Sequence, residues 1–166
     1  MHYYDLYESP HGRMLLVASA EGLSGVYFDG QKYLPRVDPE WRRDARCPAV
    51  RQAKRELAEY FGGKRERFET ALAPEGTSFQ RSVWKAISTV GFGKTITYAE
   101  LARRAGSPGS ARAAGAATGR NPIGIIVPCH RIVGSDGSLT GYAGGLDRKR
   151  ALLALESGIP DLLAAA

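Results

Sequence analysis

Apolar and polar residues alternate along three short segments at the start of the chain, residues 3–8, 13–19 and 23–28. Short turn-forming stretches connect them, with proline and glycine in residues 9–12 and glycine in residues 20–22. Alternation with a period of two between tight turns is typical of adjacent antiparallel strands. The pattern therefore predicts a three-stranded meander.

The pattern becomes irregular after the meander and then helical. Residues 29–47 are polar and poorly patterned, which favours a long loop. Pro48 can open a helix, because proline suits the first helical position, and Gly62 can end it. Residues 67–70 are interpreted as a last strand, so we expect a small α+β lobe with a structural role. The apolar residues on one face of this helix are Val50, Ala53, Leu57 and Tyr60.

The second half of the chain has a mainly helical pattern. Residues 71–77 contain proline and glycine without periodicity, which is typical of a linker. Ser78 can then cap a helix. The apolar face of that helix is formed by Phe79, Val83 and Ile87.

Two short helical segments follow across a glycine-containing break. Thr97 and Glu100 are spaced as a capping box in front of the first segment, residues 98–104. Ser110 precedes the second segment, residues 111–119. Two short helices across such a turn are typical of a helix-turn-helix, a DNA-binding motif, although other helical hairpins share this pattern.

The second of these segments consists of small residues except for Arg112. Sequence-specific readout in the major groove needs Arg, Asn or Gln side chains directed at the bases. Small residues allow close approach to the sugar-phosphate backbone or a shallow groove, but they can equally pack against another helix. Arg112 can contact a phosphate or enter the duplex where a base has been removed. We expect binding without sequence preference.

Length and composition describe an ordinary globular protein. The 166 residues suffice for one domain or two small lobes, with 43% hydrophobic and 24% charged residues. No secretory signal or membrane-spanning run is evident, so we expect a cytoplasmic protein without a membrane partner. The two cysteines, Cys47 and Cys129, argue against a disulfide scaffold and a cysteine-rich zinc site.

The net charge of +6 is concentrated in the second half of the chain. Residues 1–75 contain 12 Lys/Arg and 12 Asp/Glu, whereas residues 76–166 contain 11 Lys/Arg and 5 Asp/Glu. An excess of positive charge beside a candidate helix-turn-helix favours a nucleic-acid partner. Charge alone is equally consistent with a solvated basic surface.

The candidate catalytic residues are Cys129 and His130, which follow the apolar run 123–127. This run is interpreted as a buried strand. An imidazole can accept a thiol proton and so create a nucleophile, but a buried cysteine can also be inert. Glu156 lies in a predicted helix, residues 147–157, as either the group that orients His130 or a salt-bridge partner. Asn121, before a proline, is expected in a turn that it can brace. The helix residues expected to be buried are Ala151, Leu152 and Leu155.

Residues 126–133, Ile-Val-Pro-Cys-His-Arg-Ile-Val, resemble the active-site signature of the O6-alkylguanine-DNA alkyltransferases, also called methylated-DNA–protein-cysteine methyltransferases. The resemblance covers residues 78–158 and extends more loosely to the first lobe. It implies a mixed α+β fold with a ribonuclease-H-like lobe, residues 1–75, and a mainly helical alkyltransferase domain, residues 77–166. The further matching segments are residues 79–84, 93–102, 111–122, 141–145 and 152–156.

The resemblance also implies a mechanism. Cys129 accepts the alkyl group from O6 of a guanine flipped out of double-stranded DNA, in a single irreversible turnover without cofactor or metal. His130 acts as the base through a water molecule, and Glu156 holds its tautomer. Asn121 braces the turn, and Tyr98 donates a hydrogen bond to the departing base.

The remaining roles implied by the resemblance concern the DNA. Arg112 fills the gap in the base stack, and the protein binds the minor groove as a monomer that can assemble cooperatively. The residues expected to contact DNA on the second helical segment and directly after it are Ala111, Arg112, Gly115 and Arg120. The residues expected to line the base pocket are Tyr142, Ala143 and Gly144.

Two departures from the family pattern and three alternative functions bear on this interpretation. Some members have serine where this chain has Ala143, and some have a zinc-binding cysteine cluster, whereas this chain has only Cys47 in the first lobe. A non-enzymatic alkyltransferase-like DNA-binding protein lacks the acceptor cysteine, which is present here. A helix-turn-helix regulator needs base-reading side chains, which are absent from residues 111–119. A hydrolase with a Cys-His pair would turn over repeatedly.

Overall fold

A computed structural model describes residues 1–158 of the chain. The chain divides into two compact units, Met1–Glu75 and Gly76–Ala166. The first unit contains a sheet and one helix, and the second is mainly helical within its described part. The predicted mixed α+β fold is confirmed.

The first unit is built on a four-stranded sheet in the order β3-β2-β1-β4. Strands β1 to β3 form the predicted antiparallel meander. The two-residue β4 pairs in parallel with β1 and lies inside the predicted loop, which was therefore wrong at these two residues. No local pattern marks β4, because only its partner β1, distant in sequence, makes it a strand. The bounds are β1 Tyr3–Ser9, β2 Gly12–Ser19, β3 Gly22–Phe28 and β4 Arg42–Arg43.

Helix α1, Pro48–Phe61, has Pro at its first turn and Gly62 at its C-terminal cap, as predicted. All four residues of the predicted apolar face are buried. Glu56 is buried beside them, and its carboxylate accepts hydrogen bonds from the backbone amides of Glu69 and Thr70. The predicted strand at 67–70 was wrong, because these amides bind the Glu56 carboxylate instead of a neighbouring strand.

Up to residue 158, the second unit contains five helical elements and a short parallel pair of strands, β5 and β6. The apolar faces of α2 and α4 meet where Trp84 Nε1 donates to the carbonyl oxygen of Ala117 over 2.8 Å. The bounds are α2 Ser78–Ile87, β5 Ile96–Thr97, α3 Tyr98–Arg104, α4 Ala111–Gly119, a 3₁₀ helix Cys129–Arg131, β6 Ile132–Val133 and α5 Leu146–Ser157.

The helix starts differ from prediction in small ways. The N-terminal cap of α2 is Thr77 rather than Ser78, and Thr77 forms a reciprocal capping box with Gln80. Since a capping box satisfies two free backbone amides, it outcompetes a cap one residue later. Ser110 occupies the N-cap position of α4, but its side chain makes no capping hydrogen bond.

Helix α3 forms half of its predicted capping box. The hydroxyl of Thr97 accepts from the backbone amide of Glu100 over 3.2 Å. The Glu100 carboxylate instead bonds to Arg103 and Arg104, one helical turn further along. These guanidiniums lower the pKa of Glu100 to about 2.

The apolar run at residues 123–127 is not a strand. It forms a compact turn in which Ile125 has a positive φ of 70° and the Val127 amide donates to the Ile123 carbonyl over 3.0 Å. An apolar run this short is compatible with any fully buried conformation, so its sequence could not reveal the turn. On α5 only Leu152 of the three predicted apolar residues is buried, while Ala151 and Leu155 are half-buried.

Candidate active site

Cys129 begins the 3₁₀ helix that joins the buried turn to β6. Its side chain is 7% exposed and the next residue, His130, is fully buried. Pro128 links the turn to the 3₁₀ helix, and the Arg131 amide donates back to the Pro128 carbonyl over 2.9 Å. Successive side chains in a 3₁₀ helix are rotated by about 120° rather than the 180° of a strand. The cysteine and histidine therefore do not point to opposite faces.

His130 is held by Glu156 of α5. Its Nε2 lies 2.6 Å from Oε2 of Glu156, and both side chains are excluded from solvent. Because a carboxylate only accepts, Nε2 carries the proton and Nδ1 keeps its lone pair. Nδ1 is buried without a hydrogen-bond partner among residues 1–158. Burial lowers the pKa of His130 in spite of the opposing effect of Glu156, so the imidazole is neutral and able to accept a proton at Nδ1.

Arg131 neutralises the charge of Glu156. Its Nε donates to Oε1 over 2.7 Å and its Nη2 to Oε2 over 3.0 Å, a two-point contact between buried groups. Arg131 Nη1 also donates to the Val90 carbonyl over 2.7 Å. A buried carboxylate needs such compensation, because an unpaired charge in the interior is strongly destabilising. The signature contains Arg131, but no local pattern indicates this role.

The Cys129 thiol is protonated in this environment. Burial raises its pKa, and a hydrogen bond with Asn121 and the charge of Lys149 oppose that effect. The pair at rest is therefore a thiol beside a neutral imidazole rather than a thiolate–imidazolium pair. Such a pair needs a base at the moment of attack, which His130 Nδ1 can supply.

Asn121 lies at the turn before Cys129, where the sequence placed it. Its Nδ2 donates to the Val127 carbonyl over 2.9 Å, and its Oδ1 accepts from the Ile123 amide over 3.0 Å. The amide side chain thus closes both ends of the turn 123–127. This fixes the backbone two residues before the thiol.

Lys149 is a fully buried cation beside the site that sequence reasoning missed. Its Nζ donates to the carbonyl of Ile132 over 2.6 Å and to that of Thr140 over 2.9 Å. Lys149, Leu152 and Glu156 are the buried residues of α5 and recur at three- and four-residue spacing. This spacing could have revealed Lys149, since a helix face that buries Glu156 also buries the residues one and two turns before it.

The loop before α5 carries the three residues predicted to line a base pocket. Tyr142 and Ala143 are half-buried and Gly144 is buried. Burial raises the pKa of Tyr142 well above its ordinary value, and ionisation of Cys129 would act in the same direction. Tyr142 therefore lies near Cys129. Tyr98, at the start of α3, is tied to the same loop by a hydrogen bond of 3.0 Å with Thr140.

Helix α4 has a buried face and an exposed face, and both are made of small residues. Ala114, Ala117 and Thr118 are buried. The exposed side carries Arg112 and Arg120, with alanines between them. Arg112 makes no hydrogen bond or ion pair with the residues that the structure describes. Of the other predicted contact residues, Ala111 and Gly115 are half-buried.

Within residues 1–158, no group of three or more His, Cys, Asp or Glu side chains is arranged to hold a metal ion. None of the helices there is long and apolar enough to cross a membrane.

The chain matches two family models that together account for nearly all of it. One, described as 6-O-methylguanine DNA methyltransferase, DNA binding domain, matches residues 78–158. The other, described as 6-O-methylguanine DNA methyltransferase, ribonuclease-like domain, matches residues 2–74.

Individual relatives agree with these matches over most of their length. The methylated-DNA–protein-cysteine methyltransferase of Methanosarcina barkeri is 49% identical, covering 93% of this chain and 96% of the relative. The Haemophilus influenzae protein of the same name is 43% identical, covering 93% and 86%. A crystal structure of Mycobacterium tuberculosis OGT in complex with DNA is 42% identical, with a TM-score of 0.87 over 97% of both chains. The chain belongs to the 6-O-methylguanine DNA methyltransferase family.

Proposed function

We propose that this protein repairs O6-alkylguanine in double-stranded DNA by transferring the alkyl group to Sγ of Cys129, once per molecule. The observation that carries the proposal is the buried thiol beside a neutral histidine, whose Nε2 is 2.6 Å from Glu156 and whose Nδ1 is unpaired among residues 1–158. Relatives up to 49% identical are named methylated-DNA–protein-cysteine methyltransferases. The chemistry is assigned to residues 77–166, and residues 1–75 have a structural role.

The reaction is a displacement at the alkyl carbon. His130 Nδ1 takes the thiol proton through a water molecule, and the resulting thiolate attacks the carbon bonded to O6. The S–C bond forms as the C–O6 bond breaks, and the electron pair of the broken bond remains on the guanine. Glu156 stabilises the imidazolium that forms, while Arg131 keeps Glu156 ionised.

The guanine leaves more easily if it gains a proton. Tyr98 donates a hydrogen bond from its hydroxyl to the base, which disperses the developing negative charge. The product thioether does not return to a thiol, because water does not hydrolyse its C–S bond. Each molecule therefore acts once, and the protein side chain takes the place of a cofactor.

The base must leave the duplex before it reaches a buried thiol. An O6-alkyl group stacked inside duplex DNA is out of reach of a protein side chain, so the nucleotide is flipped. Arg112 on the exposed face of α4 occupies the resulting gap, and Ala111, Gly115 and Arg120 lie along the DNA backbone in the minor groove. Small exposed residues on α4 fit close approach without base readout.

The flipped base is enclosed by the loop before α5. Tyr142 and Ala143 form the wall of the pocket, and Gly144 leaves room for the backbone to approach the base. Asn121 keeps the turn that carries Cys129 in place. Since Ala143 has no hydroxyl, a backbone amide of this loop donates the hydrogen bond to the O6 atom. The protein acts as a cytoplasmic monomer, which can assemble cooperatively on DNA.

Mass spectrometry tests this function directly. The intact protein is incubated with a duplex that contains one O6-methylguanine, and its mass is measured before and after. We expect one methyl group per molecule, located on Cys129 by peptide mapping. Cys129→Ser should gain nothing, and Cys47→Ser, which changes the other buried cysteine, should gain one methyl like the wild type. A wild type that gains no methyl, or a Cys129→Ser variant that does, would contradict the proposal.

A further inference from the structure

We propose that Thr140 is the positioning residue of Tyr98: it occupies a lone pair of the phenol oxygen and leaves the phenol proton for the flipped base. This inference rests on the proposed function and adds a residue to it. The hydroxyl of Thr140 lies 3.0 Å from the phenol oxygen of Tyr98, in a geometry that allows Thr140 to donate. Thr140 lies in the loop before α5, 42 residues from Tyr98 in sequence.

The direction of this hydrogen bond matters chemically. A phenol has one proton and two acceptor lone pairs. With Thr140 as the donor, Tyr98 uses its oxygen as an acceptor and keeps its own proton for another partner. A hydroxyl that accepts one hydrogen bond also becomes a better donor, because the two bonds polarise each other. Thr140 thus orients the Tyr98 hydroxyl and strengthens it as a donor.

Thr140 is itself held in place by the buried cation. Lys149 Nζ donates to the Thr140 carbonyl over 2.9 Å and to the Ile132 carbonyl over 2.6 Å. Ile132 opens β6, directly after the 3₁₀ helix that begins with Cys129. Because threonine is branched at Cβ, fixing its backbone also restricts its hydroxyl to few rotamers. This chain of hydrogen bonds therefore fixes the Tyr98 hydroxyl relative to the segment that carries Cys129.

The ring of Tyr98 is restrained by helix α4. A Cβ atom placed on Gly115 of α4 would lie 3.5 Å from a ring carbon of Tyr98, so the ring packs directly against that helix. Helix α4 fixes the ring and Thr140 fixes its oxygen. The phenol is therefore preorganised before a substrate arrives, which is how a hydrogen-bond donor contributes most to catalysis.

A purely structural role, in which the hydrogen bond only fastens the loop to α3, is the alternative. The bond is absent in Tyr98→Phe under either role, so the two roles differ in whether its loss lowers the melting temperature together with the rate. A double-mutant cycle with Tyr98→Phe shows whether Thr140 acts through the Tyr98 hydroxyl, since it measures the coupling between the two hydroxyls. Thr140→Val removes the hydroxyl at constant shape, Thr140→Ser retains it, and Thr140→Ala is a second deletion in case valine folds poorly.

The experiment measures the single-turnover rate of methyl transfer from a duplex containing O6-methylguanine to the full-length protein. We expect Thr140→Val and Thr140→Ala to slow transfer about tenfold, the effect of losing roughly 1.4 kcal/mol of transition-state stabilisation. Thr140→Ser should stay within about twofold of the wild type. In the Tyr98→Phe background, Thr140→Val should cause no further loss.

Equal slowing by Thr140→Val with and without the Tyr98 hydroxyl would overturn the inference, because Thr140 would then act independently of Tyr98. A Thr140→Val variant that melts well below Thr140→Ser would overturn it in favour of a structural role. An unchanged rate in both Thr140→Val and Thr140→Ala would overturn it as well. Melting temperature and affinity for undamaged duplex are measured alongside, and both should be nearly the same in Thr140→Val and Thr140→Ser. If the wild type accepts no methyl, the proposed function itself fails. If the wild type accepts it but the cycle shows no coupling, only the role of Thr140 fails.

Discussion

Oε2 of Glu156 lies 2.6 Å from Nε2 of His130, and neither side chain reaches solvent. Arg131 binds the same carboxylate at two points. Glu156 therefore balances the charge of the buried Arg131 and also determines which nitrogen of His130 carries the proton. The placement of the imidazole proton on Nε2 follows from this contact. Nδ1, the nitrogen with the free lone pair, is the atom that the proposed mechanism uses as the base for Cys129.

The first prediction concerns the charge of Glu156. Glu156→Gln retains the shape but leaves the buried Arg131 without a counter-charge, so we expect the free energy of unfolding to fall by about 3–5 kcal/mol. Methyl transfer in the fraction that stays folded should slow by at least about tenfold, since the imidazolium loses its partner. Denaturant titration and single-turnover kinetics measure the two effects.

A matched control for this change is Glu100→Gln, which removes a carboxylate from exposed ion pairs with Arg103 and Arg104. Water screens exposed ion pairs, so the stability of this variant should stay close to that of the wild type. A Glu156→Gln variant as stable as Glu100→Gln would show that the buried network does not hold the fold together.

The second prediction concerns stability at high pH. Burial raises the pKa of Cys129 in the folded protein, so the unfolded chain releases the thiol proton first as pH rises past 9.0, the ordinary thiol value. Stability due to the protonated thiol is therefore present below that pH and lost above it. We expect the wild type to lose more unfolding free energy between pH 7 and pH 10 than Cys129→Ala does. Equal losses would mean that the thiol is not held in its neutral form.

At low pH the histidine has the corresponding effect. The pKa of His130 is lowered by burial, so the unfolded chain binds a proton first as pH falls below the ordinary value of 6.5. Stability contributed by the neutral imidazole is present above that pH and lost below it. Methyl transfer should accordingly keep its full rate through neutral pH and decline only below 6.5. A rate that already falls between pH 8 and pH 7 would indicate a base with a higher pKa.

Most of what the sequence predicted correctly depends on local pattern. The meander has alternating residues between tight turns, and the bounds of α4, Ala111–Gly119, coincide with the run of small residues between Ser110 and Arg120. The signature around Cys129 was recognised because its residues are contiguous. These features need no knowledge of distant contacts.

The wrong predictions depend instead on contacts that a local pattern does not show. Residues 67–70 are not a strand because Glu56, on α1, binds their amides. The run 123–127 is a turn because the side chain of Asn121 takes up the hydrogen bonds at both of its ends. Lys149 was overlooked because a lysine is rarely buried unless its ammonium is bound, and its two carbonyl partners are remote in sequence. In each case a polar side chain meets backbone groups that no local pattern identifies.

The third prediction concerns that lysine. Lys149→Met keeps much of the volume but leaves the carbonyls of Ile132 and Thr140 without their donor, so we expect a loss of about 1–3 kcal/mol in unfolding free energy. The loop before α5 should loosen, which hydrogen exchange at Gly144 and its neighbours would detect. Lys85→Met, at an exposed position of α2, is the matched control and should change little. Similar exchange in both variants would rule out Lys149 as the anchor of this loop.

The last prediction separates extrusion of the base from the chemistry. Arg112 is exposed on α4 and has no partner among the described residues, so Arg112→Ala should not disturb the site around Cys129. Transfer from O6-methylguanine in a duplex should slow by about tenfold or more, because the gap in the base stack is no longer filled. Reaction with the free base O6-benzylguanine, which needs no flipping, should stay within about twofold. Lys85→Ala removes the same charge elsewhere on the surface and controls for general electrostatic attraction to DNA. Equal losses on duplex and free base would show that Arg112 acts on the site itself and not on an extrahelical nucleotide.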